Sequence, residues 1–184
     1  MKVLFCVLGR TASGKDTLTS SLCKHNGMTK LISYTTRAPR TEQEDTHIFS
    51  SWEEFAQHYK DDRIAAYSQI GDNMYWSTKE QLEKYDFYVN DYVGLKQVKA
   101  FNLPNVKIVT IYIKAPINER HKRAFLRDPD TDKFWRRNTD EQEQFEELEA
   151  KQDWDYMIYN ERFEDAERCL AEIVAVERTK ANVF

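Results

Sequence analysis

Lys2–Leu8 (KVLFCVL) holds one polar residue followed by six apolar ones and stops at Gly9. A run with no polar face fits a strand covered on both sides, as in a parallel sheet. A helix is expected from about Lys15 to His25. Val106–Ile113 repeats the strand character, and Phe87–Asn90 and Tyr156–Tyr159 are shorter candidates. Between them the pattern predicts helices over Val93–Phe101, Ile117–Leu126, Asp140–Gln152 and Glu164–Val176. Strands alternating with helices of this length predict βαβ units: an α/β fold with a central parallel sheet and helices on both faces.

The stretch from about 34 to 80 breaks that alternation. Ser51-Trp-Glu-Glu54 reads as a capping box opening a short helix to Tyr59. Arg63–Ile70 and Met74–Trp76 flank Gly71-Asp72-Asn73, which predicts a tight hairpin. A small, partly antiparallel insertion beside the main sheet follows. The segment 128–138 is polar, contains Pro129 and lies between two predicted helices, as a mobile lid would.

The 184 residues favour a single core. Apolar residues make up 41% and charged residues 32%, so the chain is expected to be globular and to lack a membrane span. Its opening run is too short for a secretory signal and leads straight into Gly9. Cys6, Cys23 and Cys169 are odd in number and widely spaced, which predicts free thiols and a reducing cytoplasm. The net charge of −4, from 27 basic and 31 acidic residues, argues against a nucleic-acid partner. His25, His58 and His121 stand apart, without ligand spacing, and are expected at the surface. Asp140–Glu149 reads as a solvated acidic helix. Arginines at 10, 37, 40, 120, 123, 127, 136 and 137 suggest local capture of a small anion.

Gly9-Arg10-Thr11-Ala12-Ser13-Gly14-Lys15 is a G-x-x-x-x-G-K phosphate-binding loop between a buried strand and a helix. There, glycines let successive N–H groups curl around a phosphate chain. The helix N-terminus adds positive potential, and the lysine reaches the terminal phosphates. Asp16 follows where Ser or Thr normally offers Mg²⁺ a hydroxyl; Thr17 comes next. Asp16 could meet Mg²⁺ directly or through water, or serve only as an acid at a helix start. In Ser33-Tyr34-Thr35-Thr36-Arg37-Ala38-Pro39-Arg40, two arginines three apart can present forked donors to one anion, with hydroxyls alongside. Asp91 lies just past a strand's carboxyl end, where open α/β sheets bind ligands; it could equally cap a helix. Arg123 and Arg127 share a helix face, and Arg136-Arg137 precede the next helix. Phosphoryl transfer needs such positioning and charge stabilisation.

A phosphate loop, then S-x-T-T-R-x-P-R, then Tyr75-Trp76-Ser77 after a hairpin, in that order and spacing, resemble the guanylate kinases over essentially the whole chain. The resemblance implies a three-layer P-loop fold: a CORE (1–33, 81–126, 139–184), a nucleotide-acceptor insertion (34–80) and a lid (127–138). It implies that Mg²⁺-dependent transfer of the γ-phosphoryl group of ATP to a nucleoside 5′-monophosphate, with GMP or dGMP the default, is the activity. By the same resemblance Ser33, Arg37, Arg40, His47, Tyr75, Ser77 and Asp91 hold the acceptor. Arg123, Arg127 and Arg137 act with Lys15 on the transferring group, and Asn160 lies near adenine. No membrane partner is implied, and monomer and homodimer both stay open.

The glutamate that reads guanine in this family falls here at Ala65 or Ala66, which cannot accept a side-chain hydrogen bond. An altered or relaxed base preference is therefore expected, with Tyr67, Gln69 or Asn73 as substitute contacts and Trp76 narrowing the pocket or stacking on the base. Two alternatives stand beside it. One is a same-fold kinase for another deoxynucleotide or a sugar phosphate; the other is a non-catalytic protein-binding module.

Overall fold

The structure is a computed structural model that describes residues 1–101 and 103–182. The first strand, β1 (Lys2–Leu8), sits between two parallel neighbours, β6 (Phe87–Val89) and β7 (Val106–Lys114), with β8 (Tyr156–Tyr159) beyond β7. The order is therefore β6-β1-β7-β8, all parallel. Phe5 stands between Phe87 and Val109 in register.

Strand side chains alternate between faces, and the β1 run divides accordingly. Val3, Phe5 and Val7 share a core with Leu18 and Leu22 of α1 (Lys15–Asn26) and Ala166, Leu170 and Val174 of α8 (Phe163–Asn182). Leu4, Cys6 and Leu8 face the other way. There they meet Leu82 of α3 (Lys79–Lys84), Leu95 of α4 (Tyr92–Ala100), and Phe145 and Leu148 of α7 (Gln142–Lys151). Helix, sheet and helix make three layers.

A second sheet is built from residues 34–78. β2 (Tyr34–Thr35) pairs parallel with β3 (Ile48–Phe49) and antiparallel with β5 (Asn73–Thr78), which pairs antiparallel with β4 (Ile64–Ile70). The β4–β5 hairpin turns at Gly71, whose φ of +59° suits a residue without Cβ. Helix α2 (Trp52–Lys60) starts at Ser51, which accepts from the Glu54 amide. Only half of the expected capping box forms, because Glu54's carboxylate turns to the Ser50 hydroxyl instead. The complete box caps α3, between Thr78 and Gln81.

Three expectations change. The polar segment after 127 contains α6 (Thr131–Asp140), packed by Phe134 against α5 (Ile117–Arg127). Its apolar content, little more than Phe134-Trp135, hides it from a periodicity reading. His58 is 6% exposed, and its Nδ1 accepts the Trp76 indole N–H at 3.1 Å. Trp76, 1% exposed, stacks on Tyr34 and meets Phe55, so it faces α2 and cannot narrow an acceptor pocket. All three cysteines are free, and no described helix is long and apolar enough to cross a membrane.

Candidate active site

The phosphate loop leaves the carboxyl end of β1 and is held by close backbone packing. A Cβ on Gly9 would lie 2.4 Å from Ser13 Oγ and 2.7 Å from the Ile113 carbonyl. Gly14 has φ +90°, and a Cβ there would meet Asn160 Nδ2 at 2.4 Å. Ala12 adopts φ +59°, a left-handed conformation that costs a non-glycine residue energy and persists where surrounding contacts enforce it.

Those contacts come from four residues in three parts of the fold. Asn160, after β8, donates to the Ser13 carbonyl at 2.8 Å and is 1% exposed. Arg123 donates to Ser13 O at 3.3 Å and to Asn160 O at 3.0 Å. Arg120, one turn earlier on α5, reaches the Thr11 carbonyl at 3.3 Å. Glu141, between α6 and α7, accepts the Thr11 amide at 2.6 Å. The loop is thus braced at both N–H and C=O groups. Glu141 belongs to the acidic run read as merely solvated, and its part here depends on a contact 130 residues distant in sequence.

Lys15 is partly buried, and burial lowers its proton affinity. Asp16 and Glu141 oppose that shift, while Arg137 and Arg127 add to it. Arg127 and Arg137 are exposed and have no hydrogen-bond or ion-pair partner among the described residues. Three cations, Lys15, Arg127 and Arg137, therefore gather there against two carboxylates, Asp16 and Glu141. Arg123 differs: its donors are spent on loop carbonyls. Asp16 is exposed and pairs with Lys30 at 3.6 Å, and Thr17 beside it is exposed. No described group of three or more His, Cys, Asp or Glu could cage a metal. That suits Mg²⁺ carried on a nucleotide, because the ion retains waters and takes one or two protein oxygens besides phosphate.

On the insertion, β2, β3 and β5 bring Ser33, Arg37, His47 and Tyr75 together. Ser33 Oγ lies 3.3 Å from His47 Nδ1, and His47 meets Tyr75 edge-on at 5.4 Å. Burial, then the Arg37 charge, lowers the His47 pKa. Arg37 lies over Phe49 and donates to both Glu44 oxygens at 2.7 and 3.2 Å. Glu44 also accepts from the Arg40 amide and the Thr46 hydroxyl. These bonds, Arg37's first, bring the Glu44 pKa down to about 2. The sequence reading missed Glu44. Arg40's own side chain is exposed and unpaired among the described residues.

Farther in, buried Ser77 donates to Tyr88 O–H at 3.0 Å, and Asp91 lies near enough to raise the Tyr88 pKa, after burial. Asp91 caps α4, accepting the Gly94 amide at 2.7 Å, so the helix-cap reading holds. Neighbouring Asn90 keeps both amide atoms buried without a partner. The other substitute contacts do not converge. Tyr67 packs with Phe55 and Tyr59 of α2, and Gln69 bonds to its own turn at Gly71. Ala65 and Ala66 are buried in the core shared with Leu95.

A guanylate kinase family model matches residues 1–177 of the chain. The guanylate kinase of Clostridioides difficile (strain 630) is 30% identical over 192 residues, covering 99% of this chain and 91% of that protein. That of Rickettsia felis is 30% identical over 180 residues, covering 93% and 92%. The crystal structure of guanylate kinase from Anaplasma phagocytophilum aligns with a TM-score of 0.68 at 20% identity, covering 96% of this chain and 86% of that one.

Proposed function

Because the chain belongs to the guanylate kinase family, we propose that it transfers the γ-phosphoryl group of ATP to GMP or dGMP in the cytoplasm, with weaker base discrimination than a guanine-reading glutamate would give. The carrying observation is the braced phosphate loop, with three cations, Lys15, Arg127 and Arg137, gathered near it against two carboxylates, Asp16 and Glu141. Loop amides and Lys15 hold the donor phosphates. Arg37, kept charged and oriented by Glu44, and Arg40 hold the acceptor phosphate. Arg127 and Arg137 neutralise charge on the migrating group and exclude water that would otherwise accept it. The acceptor oxygen is already ionised, so no general base is required. Asp16 and Thr17 are the side chains that would lie nearest a Mg²⁺ carried on the donor phosphates, and the ion would supply further charge neutralisation.

Ser33, Asp91 and Asn90 remain to read the base, while Ala65 and Ala66 offer no side-chain acceptor. A buried donor left unpaired costs about 1–3 kcal/mol, roughly 5- to 150-fold in selectivity.

The test is ATP consumption with each common ribo- and deoxyribonucleoside monophosphate. GMP and dGMP should turn over, with at least one other base within about 100-fold. A preference for guanine above about 10⁴-fold would overturn the relaxed selectivity. No turnover with any monophosphate would favour the binding-module alternative. Lys15→Met should remove turnover and leave the circular dichroism spectrum unchanged.

A further inference from the structure

On the side of the main sheet that carries α7, behind the phosphate loop, lies a cavity of about 90 Å³ lined by Arg10, Tyr112, Lys114, Ala115, Arg120 and Glu149, among others. Three of its charged groups are cations. Its one carboxylate, Glu149, is already engaged: it accepts the Tyr112 hydroxyl at 2.6 Å and pairs with Lys114 at 3.1 Å.

Arg10 has no hydrogen-bond or ion-pair partner among the described residues, and its guanidinium rests over the Phe145 ring at 5.5 Å. Arg120 is 4% exposed and bonds to the Thr11 carbonyl and to Asn138 Oδ1. Burial, then the Arg10 charge, lowers the Arg120 pKa, and the Glu141 charge opposes them without cancelling the shift. Two guanidiniums thus bring like charge to one cavity. Such an arrangement is costly unless an anion sits between them, and guanidinium forks match tetrahedral oxyanions well.

We propose that this cavity is a second oxyanion site, holding one free tetrahedral anion of the phosphate class between Arg10, Lys114 and Arg120. The volume admits several waters or one such ion and is well below the few hundred Å³ that a nucleoside needs. The site is separate from the donor phosphates, which lie against loop N–H groups, whereas Arg120 grips a loop carbonyl. An anion here fixes Arg120, and through Thr11 the loop itself. Its binding and that of ATP are therefore coupled, each changing the other's affinity by the same factor.

The probe is inorganic phosphate, titrated calorimetrically into the full chain already saturated with a non-hydrolysable ATP analogue and GMP. One further equivalent should bind. Lys114→Met should weaken it at least tenfold and Arg120→Met should abolish it. The Lys114 side chain is 41% exposed, so its replacement leaves the fold intact even if Arg120→Met does not. Absence of phosphate binding to the saturated protein, or equal binding by Lys114→Met, would overturn the site. Ribose 5-phosphate should not displace the ion. Displacement as effective as by sulfate would reassign the cavity to phosphate monoesters and overturn the free-anion assignment.

Discussion

Gly14 is a position where one added methyl group breaks two separate conditions. Two constraints meet there: the left-handed φ of +90° and the amide of Asn160 where a Cβ would stand. They can be separated experimentally. Gly14→Ala should lower ATP affinity at least tenfold. Adding Asn160→Ala should leave the defect largely in place, because the backbone strain remains and the brace on Ser13 O is lost. Full recovery in the double variant would make the side-chain clash the whole cause. The same residue scale explains the misjudged His58 and Trp76. Each taken singly reads as a surface or ligand-facing residue, yet together they form a buried donor–acceptor pair under α2. Only the β4–β5 register, which sends Trp76 to that face, joins them.

The seam between β4 and α4 carries a prediction at the scale of elements. Gln97 of α4 accepts from the Tyr67 amide at 2.7 Å and donates to its carbonyl at 3.0 Å, while Ala65 and Ala66 pack into the core beside α4. Ala66→Glu, which puts a carboxylate at one of the two positions expected to match the guanine-reading glutamate, should therefore cost more than about 3 kcal/mol in a denaturant titration. It should leave base preference unchanged; a gain in GMP preference without loss of stability would mean the side chain reaches the acceptor. Helix α8 gives a second prediction. Its buried Glu177 accepts from Lys107 of β7 at 2.5 Å, Lys180 at 2.7 Å and Tyr156 of β8 at 2.6 Å. These bonds, Lys107's first, lower its pKa to about 2. The folded pKa lies below the ordinary carboxylate value, so the latch contributes fully above about pH 4.5 and is lost as pH falls towards 2. Glu177→Gln should reduce stability by about 2 kcal/mol at pH 7, and its melting temperature should converge with the parent's near pH 2. A constant gap would place the effect elsewhere. The apolar-rich strands β1, β7 and β8 lie where the pattern put them, and α1 begins at Lys15 as expected. Helix α6 and the two-residue strands β2 and β3 did not show, because partners distant in sequence rather than local composition decide them. The phosphate loop could be read from seven residues. Glu44, Glu141 and Arg120 could not, since a charged residue in a polar stretch gives no sign of what it will touch.

Across the whole molecule, α6 joins two regions. Phe134 anchors it to α5, and Glu141 at its end holds the phosphate loop. If residues 127–141 close over bound substrates, hydrogen exchange in α6 should slow at least tenfold with an ATP analogue and GMP together, while β1 and β7 stay unchanged. Equal exchange with and without nucleotides would make α6 a fixed buttress. The main sheet has a temporal consequence too. Its central strand precedes both of its partners along the chain, and Phe5 finds its neighbours only at Phe87 and Val109. Until residue 87 has left the ribosome that sticky segment has nothing to zip onto, and its other edge stays bare until residue 106 follows. Distant pairing of this kind makes folding slow, so a nascent chain stalled before residue 106 should be a preferred client for chaperones.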